Sequence, residues 1–155
     1  MVATTMHLPT KIFEKTFKHL KLTFPDYAFK ASVVFQWSPI NREISFNDKL
    51  PHATALLLHE VGHAVLGHED YVRDIELLRK ETEAWNFARH YAKKLNFQLD
   101  TEIIEDCLDT YRQWLYNRSL CSNCNHTGLQ QNQNTYNCLN CRHSWRVTDA
   151  LNCNM

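Results

Sequence analysis

Net charge is the first thing this chain lacks. Seventeen Lys and Arg stand against seventeen Asp and Glu, so no global field draws it to nucleic acid or to an anionic membrane, and either partner would need a local patch. Long apolar runs are also missing. Stretches such as Ala53 to Leu58 fall well short of the ~20 residues that span a bilayer, and the first residues show no charged-then-apolar signal pattern. These absences point to a cytoplasmic protein with no membrane partner. There is no internal repeat and no long linker, and 155 residues suit one main core with a small appendage. In a reducing compartment, six cysteines that include two CxxC pairs read as metal-binding thiolates rather than disulfides.

What is present begins with helical spacing. Ile12, Phe13, Phe17, Leu20 and Leu22 recur inside "PTKIFEKTFKHLKLTFP", which predicts an amphipathic helix closed before Pro25. "KASVVFQW" (30–37) and "REISFN" (42–47) are rich in β-branched and aromatic residues, with "SPIN" between them, and predict two paired strands. After Asp48 and Pro51 an apolar helix runs to Leu66, with Gly67 as its stop. A second long helix is expected over Asp74 to Leu95. A third is expected from Thr101 to about Tyr116, with Ile104, Cys107, Leu108, Tyr111 and Leu115 on one side. The order is that of an α+β fold.

From Asn117 the texture changes to Asn, Gln and Cys, too poor in aliphatics to fold on hydrophobicity alone. A boundary is therefore expected near 118, giving a main domain over 1–117 and a small module over 118–155.

The apolar helix carries "HEVGH". Residues four apart lie on one side of a helix, so His59 and His63 present two imidazoles to one ion. Glu60, one position on, can take a proton from water activated by that ion, which is the zinc hydrolase arrangement. A chance match is expected about 0.03 times in a chain of this composition. A polar cluster flanked by Leu56, Leu57, Leu58, Val61, Ala64 and Val65 is also expensive to bury without a function.

A catalytic zinc takes a third protein ligand and keeps one position open. His68, Glu69, Asp70, Asp74, Glu76, Glu81, Glu83 and His90 follow the motif. On the second helix the apolar face is set by Leu77, Ala84, Phe87, Ala88, Tyr91 and Leu95. Counting about 100° per residue, Glu81 falls within that face and Glu83 off its edge. Glu81 is the first choice and Glu83 the second; Glu83 reads first as a solvated charge at the helix border, unless it orients a ligand histidine from behind. His68, beyond the stop at Gly67, reads first as a surface histidine, with lining the cleft, polarising a substrate carbonyl or standing behind a ligand as alternatives; Tyr71 is a weak candidate for oxyanion stabilisation or for a place behind the ligands. Only Glu60 to His63 fits E-x-x-H, which excludes a di-iron carboxylate site.

"ISFNDKLPHATALLLHEVGHAVLGH" followed by "ETEAWNFA" resembles the ImmA/IrrE-type zinc metallopeptidases, in which a short sheet leads into H-E-x-G-H and a later helix carries E-x-E-A-N-x-F-A. The resemblance covers roughly Ile44 to Leu95. It implies a zincin-like core, with His59, His63 and Glu81 as zinc ligands, Glu60 as general base, and as substrate a protein such as a helix-turn-helix repressor in stress or mobile-element responses. Trp85 stands where the family pattern has Asn, with Asn86 one place later. SprT-like proteases, which act on DNA-bound protein, also share H-E-x-x-H and a zinc module. They use a third histidine, for which His68 and His90 are poorly placed.

Cys121-x2-Cys124 and Cys138-x2-Cys141 have zinc-ribbon spacing, which closes all four positions of a structural zinc. Tyr136 and Trp145 are expected to pack its small core, His126 and His143 to stay at the surface, Cys107 to be core and Cys153 a tail thiol. Arg118, Arg142 and Arg146 outnumber Asp149 in this module, which permits nucleic-acid contact. Two readings follow: an endopeptidase with one catalytic and one structural zinc, or a non-catalytic, metal-stabilised protein that binds a repressor, or DNA through its ribbon.

Overall fold

The computed structural model describes residues 10–148; Cys153 and Asp149 lie outside that range. Four helices and two three-stranded sheets make a mixed α+β chain. It divides into two compact units. One runs through Glu69 and resumes over Glu83–Leu99; the other comprises Asp70–Thr82 and the chain from Asp100 onward. The change of composition near 118 therefore falls inside the second unit.

In the first unit, helix α1 (Lys11–Thr23) starts where the Thr10 hydroxyl accepts from Phe13 N, meeting a helix end's need for capping. It buries Phe13, Thr16 and Leu20, whereas Ile12 and Leu22, expected on the same face, are exposed. Strands β1 (Ala28–Ala31), β2 (Gln36–Ser38) and β3 (Glu43–Phe46) form a sheet ordered β1-β3-β2. The expected single strand over 30–37 is thus two. Residues 32–35 leave one edge of β3 and cross to the other, so β1 pairs with β3 in parallel and β2 pairs antiparallel. The break is held by Ser32 N donating to Phe46 O and Asn47 Nδ2 donating to Val33 O, and it leaves Val33 and Val34 exposed.

Helix α2 (Ala53–Val65) contacts β2, β3 and α1. Phe17 meets Phe13, Phe29 and Phe46, so α1 is seated on the sheet through rings. Helix α3 (Asp74–Lys94) spans both units, and within the first it buries Ala84, Trp85, Ala88 and Ala92.

In the second unit, Glu76 Oε2 accepts from Val72 N and Arg73 N at the start of α3. Those backbone donors hold its carboxyl below the usual range. Helix α4 (Thr101–Ser119), capped by Asp100, buries Ile104 and Leu108, and it continues past the expected end at Tyr116. Strands β4 (Leu129–Asn132), β5 (Thr135–Asn137) and β6 (Ser144–Arg146) form an antiparallel sheet. Its Tyr136 ring stacks on Trp145, as the composition suggested.

Asp74 is almost completely buried and is the hub of this unit. It accepts from Tyr136 Oη at 2.6 Å, from Arg118 Nε at 2.6 Å and from Gln130 Nε2 at 3.3 Å, while its own N–H donates to Gln130 Oε1. A carboxylate taken from water needs this many donors.

Candidate metal centres

Helix α2 brings the first cluster together by local geometry. Four-residue spacing puts His59 and His63 on one face, with their Nε2 atoms 3.0 Å apart. Gly62 lets α3 approach that helix: a Cβ at this position would lie 2.8 Å from Ala84 O and 3.1 Å from Ala84 Cα. One turn along, the Trp85 indole lies against the His59 imidazole with ring centres 4.2 Å apart. The residue that departs from the resembled pattern thus packs on a candidate ligand. Its inward position was readable as four beyond Glu81; its partner was not.

Glu81 precedes Trp85 by one turn of the same helix and is 6% exposed. One donor atom each from His59, His63 and Glu81 lies within 4.8 Å of the others, an arrangement suited to a metal ion. Two nitrogens and a carboxylate oxygen match zinc, whose donors lie about 3.4 Å apart for bonds near 2.1 Å in a tetrahedron. Glu60 is buried beside them on α2. Of the other acids and histidines considered as third ligand, Asp74 is committed to Arg118 and Tyr136, Glu76 caps α3, and His90 Nδ1 meets Asn86 O. Tyr71 is half-buried in the segment before α3.

His68 is not the surface residue expected. It is 8% exposed, because the end of α2 folds it back. Gly67, at φ +65, takes the left-handed conformation that closes the helix. Gly67 N then donates to Ala64 O and His68 N donates to His63 O, the paired bonds of a glycine-terminated helix. Two side-chain contacts follow. His68 Nδ1 lies 2.9 Å from His63 Nδ1, and His68 Nε2 lies 3.2 Å from Glu83 Oε2. Glu83, half exposed, is the outer end of this line. The signal was present in "HAVLGH": a glycine just past a helix returns the next residue to the last turn, which here carries His63.

A cleft of about 240 Å³ opens beside His68, walled by Tyr27, Trp37, Pro39 and Arg42. Trp37 Nε1 donates to His68 O and Tyr27 Oη donates to Ala64 O. The cleft wall therefore ties the sheet to the end of α2.

The second cluster joins Cys121, Cys124, Cys138 and Cys141, whose sulfurs all lie within 4.8 Å. The Cys121–Cys141 and Cys124–Cys138 pairs are 3.6 and 3.4 Å apart, near the ~3.8 Å edge of a tetrahedron with 2.3 Å zinc–sulfur bonds. The backbone N–H of His126 and then the Asn140 amide hold Cys124 down to about 5, whereas burial pushes Cys121 up to about 11. His126 and His143 are exposed and bonded elsewhere, to Cys124 O and Ser122 Oγ. Four donors close the site. Cys107, in α4, is half-buried, and burial raises its thiol.

Among the described residues no helix is long and apolar enough to cross a membrane. Compared with known proteins, the chain matches no family model, no curated protein and no solved structure.

Proposed function

We propose that the protein is a zinc-dependent endopeptidase of the kind its HEVGH and ETEA motifs resemble, with a four-cysteine zinc ribbon as a structural module. The observation that carries this reading is that one donor atom each from His59, His63 and Glu81 lies within 4.8 Å of the others, with Glu60 buried on the same helix as the two histidines. Two imidazoles and one carboxylate leave a tetrahedral ion one open position, as hydrolysis requires and as the cysteine cluster does not. His59, His63 and Glu81 would hold the zinc, which would supply Lewis-acid chemistry toward a peptide carbonyl and a water. Glu60 is the residue to accept a proton from the attacking water and return it to the leaving amine. The cleft lined by Tyr27, Trp37, Arg42 and Glu69 opens beside His68, which contacts His63. A protein substrate such as a helix-turn-helix repressor follows from the resemblance, and a cytoplasmic setting from the composition read above.

Two measurements test the reading. Elemental analysis of protein purified without added metal should give two zinc ions per chain, falling to one in a His59→Ala, Glu81→Ala double variant. Hydrolysis of a fluorogenic peptide library should fall about 10²- to 10⁴-fold in Glu60→Gln with both metals retained. One zinc in both proteins would overturn the catalytic centre. Two zincs with no hydrolysis of any peptide or repressor would favour the metal-stabilised binding protein.

A further inference from the structure

We infer that His68 and Glu83 are positioning residues: together they set His63 with its proton on Nδ1 and its Nε2 lone pair turned to the metal. The inference rests on the zinc reading of the His59, His63 and Glu81 cluster and goes beyond it, to how one ligand is tuned.

The argument runs inward from the carboxylate. An ionised Glu83 only accepts hydrogen bonds, so His68 Nε2, 3.2 Å from its Oε2, carries a proton. In a neutral imidazole the other nitrogen is then an acceptor. His68 Nδ1 lies 2.9 Å from His63 Nδ1, so His63 Nδ1 is the donor. His63 Nε2, which faces His59 Nε2 at 3.0 Å, is left with its lone pair. One carboxylate thereby decides the tautomers of two histidines in series. Polarisation along the line also makes His63 a stronger electron-pair donor, as a hydrogen-bonded carboxylate does for a ligand histidine elsewhere.

His68 is held to this geometry by more than its own side chain. Its N–H donates to His63 O, its carbonyl accepts from Trp37 Nε1, and Gly67 supplies the left-handed turn that folds it back. Its ring lies 5.0 Å from that of His63, centre to centre, and is buried, whereas Glu83 reaches it from a half-exposed helix position. The other candidate ligand imidazole, His59, has the Trp85 indole against its ring.

The test is zinc affinity, measured on the full chain by competition with a chromophoric chelator, with the metal of the four cysteines as internal control. His68→Ala should weaken binding at the histidine site by about 10- to 100-fold and leave the cysteine site unchanged. His68→Asn, whose Oδ1 takes the place of the imidazole Nδ1 as acceptor, should recover most of the loss. A residue that merely fills space would show no such rescue. Glu83→Ala should weaken zinc by about 10-fold and Glu83→Gln by less, because the amide oxygen still accepts from His68. Cobalt substituted for zinc should show a shifted absorption band in His68→Ala and a wild-type band in His68→Asn. Zinc affinities of His68→Ala and Glu83→Ala within about two-fold of wild type would overturn the inference. Should His68→Ala fail to fold, Glu83→Ala decides alone, since its side chain is half exposed. A wild-type protein that holds zinc only at its cysteines would instead overturn the proposed function itself, so the two failures are distinct.

Discussion

The two candidate metal clusters reach similar donor spacings from different starting points. His59, His63 and Glu81 stand on helices whose apolar faces are already buried, through Leu57, Leu58 and Val61 on α2 and Ala84 and Ala88 on α3. The four cysteines stand on tight turns flanking short strands, where Tyr136 and two cysteines are the buried residues classed as hydrophobic. There, on the proposed reading, an ion would substitute for a core. The difference teaches that the same donor spacing would make a metal a guest of the fold in one place and its keystone in another. It also predicts that perturbations at the two sites will differ in kind.

The largest expected effect is Cys121→Ser. Structural zinc contributes about 10–16 kcal/mol in isolated zinc-finger peptides, so the β4–β6 sheet should lose its dispersed amide resonances, while the histidine cluster keeps its metal. A β4–β6 sheet that stays folded without metal would erase the contrast. Next is Asp74→Ala, which strips Arg118, Tyr136 and Gln130 of a shared acceptor. Removing one partner of a buried ion pair costs about 3–5 kcal/mol, to be read as a lower urea midpoint. Should the cost stay under ~1 kcal/mol, Asp74 would be acting as a surface charge rather than a hub.

Gly62→Ala sharpens the comparison from the other side. Alanine gains up to about 1 kcal/mol in helix propensity, but its Cβ meets the Ala84 backbone at 2.8 Å, and overpacking costs about 1–3 kcal/mol. The net should be a lower melting temperature and weaker zinc at the histidines, with the cysteine metal untouched. The smallest effect is Gly67→Ala. A Cβ there meets nothing within 4 Å, so the cost is only that of the left-handed backbone, about 1 kcal/mol. Thermal unfolding should register it. An unchanged melting temperature would mean that the turn relaxes to another conformation.

Legibility from sequence followed the range of the interaction. Helix α3 was expected over Asp74 to Leu95 and runs Asp74–Lys94, because its period and ends are local. The inward placement of Glu81 came from the same period. The strand expected over 30–37 became β1 and β2 because pairing with β3 on both edges is a long-range choice that β-propensity does not record. His68, read as a surface residue beyond the stop at Gly67, is buried for a related reason: the left-handed turn at that glycine folds it back onto the last turn of α2.

By itself, then, the sequence determined which donor groups come together. Spacings of four on a helix and three in CxxC bring donors together through short stretches of backbone, which is why HEVGH and the cysteine pairs can be read without a fold. Tertiary structure alone decided the supports: the Trp85 indole against His59, the Glu83–His68–His63 line, and the convergence of Tyr136, Arg118 and Gln130 on Asp74. These join residues from 5 to 62 positions apart. Their partners are chosen by how helices and strands pack and by where one glycine turns the chain, and no local period encodes that choice.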